Sequence, residues 1–377
     1  MKHWFGCVLY LASVLSAFGQ VLPASLGGKV LAFSPASTKV YLGSPSIVIL
    51  PNGSYVASYD TFGPSSNSDT ATLLASSDKG RNWKTLTALH GQYWSSLFVL
   101  KGFLYIIGTD RAIGRPVIRR SKDNGSTWTA PTTDADGRFP TRGRYITGPV
   151  PVLVDHGRVW RTFEVIDGDD LREIVMSAPS GGDILDTRNW TVSTELASNK
   201  EWLDGKFLSW EEGNVVATRG ELPAVLLRVN TTVGPEKAAV INFAQDRRTL
   251  LFNPASGFID FPGGGKKFTV RFDPQTQRYW SITNAVSNDD GRTNLERVRN
   301  SLALIWSLDL RTWKVQRILL QHPDRSHHGF QYADWQFDGR DIVSVIRTAY
   351  NDDHGGAESQ HNSNYIMFLR IPKFAEP

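Results

Sequence analysis

Ser76-Ser-Asp78-Lys-Gly80-Arg-Asn-Trp83 and Ser121-Lys-Asp123-Asn-Gly125-Ser-Thr-Trp128 spell one pattern, S-x-D-x-G-x-x-W, with starts 45 residues apart. The logic of the pattern is local. An Asp side chain bonds backbone N–H groups of its own turn, and Gly takes a positive φ at no steric cost. The Trp then packs beneath the turn and fixes the hairpin to its sheet. A shortened copy runs from Ser307 to Trp313, and Trp190 in DTRNW marks a degraded one. Recurrence at this spacing predicts a repeated β-unit.

Outward from these turns, the chain is a succession of short β-rich runs: SIVIL, SLFVL, FLYIIG, PVLV, AAVINF, KFTVRF, SLALIWSL and NYIMFLRI. Each stops at Gly, Pro, Asn or Asp, as strands do at turns. No segment carries a sustained helical period with caps. The class expected is all-β.

Residues 1–19 read as a secretory signal: Lys2 and His3 precede an apolar run, and Ala17 and Gly19 suit cleavage before Gln20. Residues 20–377 are then one domain, secreted and extracellular, with no later apolar window long enough for membrane insertion. The single cysteine, Cys7, lies in the signal, so no disulfide is expected in the mature chain; a large domain buries enough core without one. Sequons at Asn52, Asn124, Asn189 and Asn230 fit the same route. The formal charge of +4 is spread along the chain, which argues against nucleic-acid binding.

The repeated turns resemble the Asp boxes of the sialidase-like (BNR-repeat) β-propellers. The stretches GSPSIVILPNGSYVASYDTFGP, GQYWSSLFVLKGFLYIIGTDR, GPVPVLVDHGRVWR, FIDFPGGGKKFTVRFDP and HHGFQYADWQFDGRDIVSVIRTAYND extend the likeness to an exo-sialidase-like subfamily over nearly the whole mature chain. The resemblance implies six four-stranded blades of about 60 residues, with five or seven as alternatives. It also puts Asp78 and Asp123 on the structural side of the propeller. Two departures stand out: the F/Y-R-I-P motif is missing from the first blade, and Tyr59 and Ile146 stand where the subfamily pattern carries histidine. The lone R-I-P, Arg370 to Pro372, looks like a closing strand.

The resemblance implies a tyrosine nucleophile deprotonated by a glutamate, an aspartate as acid/base, and arginines that hold a substrate carboxylate. Asp60, which follows a strand and precedes TFGP, is the candidate acid, and Glu212 in SWEEGN the candidate base. Tyr332, Tyr350 and Tyr365 are candidate nucleophiles. Arg111, Arg271 and Arg347 flank expected strands and are candidate anion clamps; Tyr93, Trp94 and Trp335 are candidate sugar platforms. Each has an ordinary alternative in turn capping, surface pairing or core packing. His327, His328, His354 and His361 lack metal-ligand spacing, and Gly263-Gly264-Gly265 lacks the GK[ST] of a phosphate loop, so neither metal nor cofactor is expected.

Three functions follow, in order. The first is a metal-free exo-glycosidase, monomeric, removing a terminal sugar, an acidic one among the candidates; it needs Asp60, Glu212 and a tyrosine on one pocket. The second is a polysaccharide lyase on uronate glycans, with His328, Tyr332 and Arg347 as base, acid and charge neutraliser. The third is a glycan-binding propeller without catalysis, lined by aromatics and amides.

Overall fold

The computed structural model describes residues 26–140, 143–286 and 293–376. The expected signal therefore lies outside the described residues. Six antiparallel sheets stand as blades around one axis. Blade 1 is the four-stranded meander Tyr41–Ile49, Tyr55–Phe62, Thr70–Ser76 and Lys84–His90. Blade 2 holds Tyr93–Leu100, Phe103–Thr109 and Pro116–Ser121. In blade 3, Arg144–Ile146 and Leu153–Asp155 both pair with Arg158–Asp167, which pairs with Asp170–Pro179. Blade 4 is built on Phe207–Val216, Ala224–Thr231 and Lys237–Phe243, and blade 5 on Thr269–Asp273, Arg278–Thr283, Ser301–Ser307 and Trp313–Gln321.

Blade 6 closes the ring. Gly329–Asp338, Asp341–Ala349 and Tyr365–Ile371 are joined by Lys29–Phe33 from the start of the described chain, paired antiparallel to Tyr365–Ile371. The strand holding Arg370 is thus third in its blade, and the N-terminal strand is the one that closes the sheet. Apolar clusters fill the wedges between blades, the largest running from Trp280 and Leu304 of blade 5 to Phe330, Trp335 and Met367 of blade 6.

The turns form as their residues dictate. Asp78 accepts from the Asn82 N–H at 2.8 Å and the Ser76 hydroxyl at 2.9 Å, and Trp83 donates its indole N–H to the Gly80 carbonyl at 3.1 Å. Asp123, Thr127, Gly125 and Trp128 repeat this. Asp309 and Trp313 keep a reduced version, and the Trp190 indole donates instead to the Ile184 carbonyl.

The innermost strands share one irregularity. In blades 1, 2, 4 and 6 the register shifts at Gly43/Ser46, Tyr93/Ser96, Glu211/Asn214 and Gln331/Asp334. At each shift a non-glycine residue takes a positive φ: Ser44 (43°), Trp94 (46°), Glu212 (58°) and Tyr332 (56°). Bulges re-aim side chains, and such φ values persist only where the surroundings hold them. Just beyond the bulges, polar side chains stitch neighbouring blades. Asp334 accepts from the Ser46 hydroxyl at 2.8 Å and the Ile47 N–H at 2.9 Å, Ser46 accepts from the Leu97 N–H, and Asn214 from the Val270 N–H.

Candidate active site

The bulges lie in the N-terminal half of the inner strands of blades 1, 2 and 6 and mid-strand in blade 4, and the charged groups gather around them. Glu212 is buried and pairs with Arg228 Nη1 at 2.9 Å. Arg228, inside the apolar strand Ala224–Thr231, also donates to the Gly265 carbonyl and reaches Glu296 at 3.2 Å. Burial alone would lower its pKa, but Glu211 and Glu212 outweigh that and hold it well above the usual arginine value. Arg299 donates to the Gln331 amide oxygen and the Glu296 carbonyl.

Tyr332 is half-buried among these groups. Burial raises its phenol, and Glu212 raises it further, while Arg228, Arg299 and Arg347 pull the other way. The Arg347 guanidinium stacks over the Tyr332 ring at 5.0 Å and the Phe62 ring at 4.4 Å. It donates to the Ser363 hydroxyl and the His361 carbonyl and has no carboxylate ion pair among the described residues. Burial lowers it to about 10, so it is cationic at neutral pH.

Asp60 completes the group from the second strand of blade 1. Its Oδ2 accepts from the Trp94 N–H at 3.0 Å, whereas its buried Oδ1 has no well-formed hydrogen bond. Burial pushes its carboxyl up to about 7 against the Trp94 N–H, Ser44 and Arg347. A carboxyl at that value can give or take a proton near neutrality. Tyr93 is buried beside it, and Trp94 is half-buried with its ring centroid 5.1 Å from that of Tyr93.

Of the residues singled out from the sequence, Asp60, Glu212, Tyr332, Arg347, Tyr93 and Trp94 lie in this cluster, and six others do not. Arg111 is on an exposed loop, 3.8 Å from Asp110. Arg271 pairs with Asp334 at 3.1 Å and donates to the Trp335 carbonyl. It lines a 310 Å³ cavity at the other end of the axis, with Val154, Val216 and Phe337. Trp335 is fully buried, its indole spent on the Thr269 carbonyl, so it offers no platform. Tyr350 is buried with its ring edge-on to His328 at 4.8 Å. His328 stacks on His322 at 3.5 Å and bonds Asp324 at 2.8 Å. The trio His328, Tyr332 and Arg347 is therefore not assembled: the histidine faces the wedge between blades 5 and 6. Tyr365, the third tyrosine, packs on Phe33 at 4.9 Å.

Arg228 and Arg299 were missed from the sequence. The signal available was a lone charge inside an apolar strand, AVLLRVN, since unpaired arginines are seldom fully buried. Among the described residues no group of three or more His, Cys, Asp or Glu is placed to hold a metal ion.

No protein-family model matches the chain, and no curated protein sequence matches it. Solved structures do. An α-L-arabinanase of Penicillium chrysogenum, complexed with arabinobiose, superposes with a TM-score of 0.59 at 14% identity, covering 93% of this chain and 99% of that one. The GH93 α-L-arabinofuranosidase of Fusarium graminearum gives 0.59 at 11% identity, covering 91% and 97%. The Trypanosoma rangeli sialidase, in complex with sialic acid, gives 0.59 at 15% identity, covering 89% of this chain and 55% of that one. The chain has the fold of the six-bladed β-propellers of the sialidase-like kind.

Proposed function

We propose that this protein is a secreted exo-glycosidase that removes a terminal acidic sugar from a glycan with a tyrosine nucleophile and no metal step. The observation that carries the reading is the placement of Tyr332. Its phenol lies among Glu212 and three arginines, with Asp60 on the neighbouring blade.

In this scheme Arg347 and Arg299, whose carboxylate pairing is absent or long, take the sugar carboxylate, and Arg228 keeps Glu212 in place. The Tyr332 oxygen attacks the anomeric carbon as its proton passes to Glu212. Asp60, protonated at the start, gives its proton to the leaving oxygen. The glycosyl–tyrosine bond then breaks as water attacks, Asp60 taking the water's proton and Glu212 returning its own to Tyr332. A phenol raised by burial needs a base at hand, and Glu212 is the carboxylate with the strongest effect on it.

A glycan-release screen of the purified protein tests this, with sialosides, rhamnose-capped and uronate-rich polysaccharides as substrates. Saturated monosaccharide release is expected; an ultraviolet-absorbing unsaturated uronate would establish elimination, and binding without cleavage would establish a lectin-like propeller. Tyr332→Phe and Asp60→Asn should each lower kcat by roughly 100-fold or more while remaining folded. Near-normal turnover in both would remove the assignment.

A further inference from the structure

Beneath Glu212 lie two carboxyls that the proposed reaction does not use. Glu164 and Glu173 face each other directly across the second and third strands of blade 3, and both are wholly shielded from solvent. Glu164 Oε1 accepts from the Glu212 N–H. Its Oε2 and both oxygens of Glu173 have no protein donor. Glu173 presses on the next residue of the bulge: a Cβ added to Gly213 would stand 2.5 Å from Glu173 Oε1.

The charge count is short by one. Arg161, fully buried, is the cation that faces both carboxyls, and it donates to the Gly148 carbonyl at 2.7 Å and the Thr162 carbonyl at 2.8 Å. The other charged groups facing Glu164 are Glu211 and Glu212, both negative, while Asp334 also draws on Arg161. Lys267, across the axis, is within range of Arg161 and Glu212 but spends its ammonium on Thr269 and the Ala333 carbonyl. Two apposed buried carboxyls with one guanidinium cannot both ionise. A single proton between them supplies the missing donor and balances the charge.

We propose that Glu164 and Glu173 share one proton and, as a pair, fix the Glu212–Gly213 bulge that aims Glu212 at the site. They are positioning residues. The charge state and the bulge contact stand on geometry alone, and the consequence for turnover rests on the function proposed above. Burial in both cases, with the neighbouring carboxylates, pushes Glu164 up to about 8 and Glu173 well above the usual carboxylate range. Titration of the pair belongs to both residues together. The folded state holds a proton that the unfolded chain releases near 4.5, so stability falls as pH rises from there towards about 8.

The test uses the whole protein. At neutral pH the wild type should show an infrared C=O stretch of a protonated carboxyl that persists in Asp60→Asn, and Glu173→Gln should remove that component and lessen the fall of Tm between pH 5 and 8 that Asp60 does not account for. Hydrogen exchange should find the Glu212 amide protected in the wild type and in E173Q but open in Glu164→Ala. On a cleaved glycan, E164A should lose kcat by roughly 100-fold at little-changed KM, the signature of a displaced group. A missing acid band, equal Tm slopes in wild type and E173Q, or a Glu212 amide still protected in E164A would overturn the proposal. If E164A does not fold, the E173Q band and slope decide it. Glycan cleavage that fails in the wild type while band, slope and exchange behave as stated removes the proposed function and leaves the acid pair standing.

Discussion

Asp60 shows how one carboxyl's surroundings set its chemistry. With Oδ2 on the Trp94 N–H and Oδ1 buried without a good donor, it ionises at about 7 in place of 3.8. The folded form binds its proton more tightly than the unfolded chain, so its contribution to stability is complete below about 4 and is lost as pH rises through about 7. Asp60→Asn, besides lowering kcat, should therefore remove a pH-dependent loss on the order of a few kcal/mol, read as a Tm at pH 8 equal to or above the wild type's. A D60N Tm with the wild-type pH dependence would place that dependence elsewhere. Asp60, Glu212, Tyr332 and Arg347 were legible from the sequence because each is a charge or phenol that interrupts a β-rich run, although the structure places all four inside strands and not at their ends. Arg228 and Arg299 were not, because their partners, Glu212, Glu296 and Gln331, are brought in by other strands or blades. Arg271 and Arg111 share the flanking-strand signature but meet Asp334 and Asp110 instead.

At the scale of the element, the Asp-box turns were readable because every bond they make spans only a few residues. Gly80 adds a longer reach. It holds φ at 85°, and a Cβ there would lie 2.4 Å from the Phe368 ring in blade 6. Gly80→Ala combines an unfavourable φ with a clash in the closing blade and should cost about 2 kcal/mol in chemical denaturation. Gly157→Ala has a similar φ of 72° but open space around it, and should cost less. Equal losses would show that backbone strain alone matters at Gly80. The inner-strand bulges at Ser44, Trp94, Glu212 and Tyr332 left no such trace. None is a glycine, and what holds their backbones is packing and hydrogen bonds from other strands, such as Glu164 on the Glu212 N–H.

Across the whole molecule, strand direction sorts the two faces. The bulges and charged cluster lie at one end of the blades, and the exposed sequons Asn52, Asn124 and Asn189 lie in turns at the other. Asn230 is different: it is buried, accepting from Arg228 and donating to Ser209 and Glu211. If the chain follows the secretory route, glycopeptide mapping should find Asn52, Asn124 and Asn189 occupied and Asn230 bare. A glycan on Asn230 in folded protein would contradict the packing of that side chain. The sequence by itself determined the all-β class and the repeated turn, because alternation, turn residues and Asp-box bonds are all local. Only the tertiary structure decided which strand closes the ring, which arginines meet Tyr332, and that Glu164 and Glu173 stand together beneath Glu212. Apart from the hairpin neighbours Glu164–Glu173 and Tyr332–Arg347, those contacts join residues tens to hundreds of positions apart, and the curvature of six packed blades, which no local pattern encodes, brings them to one axis.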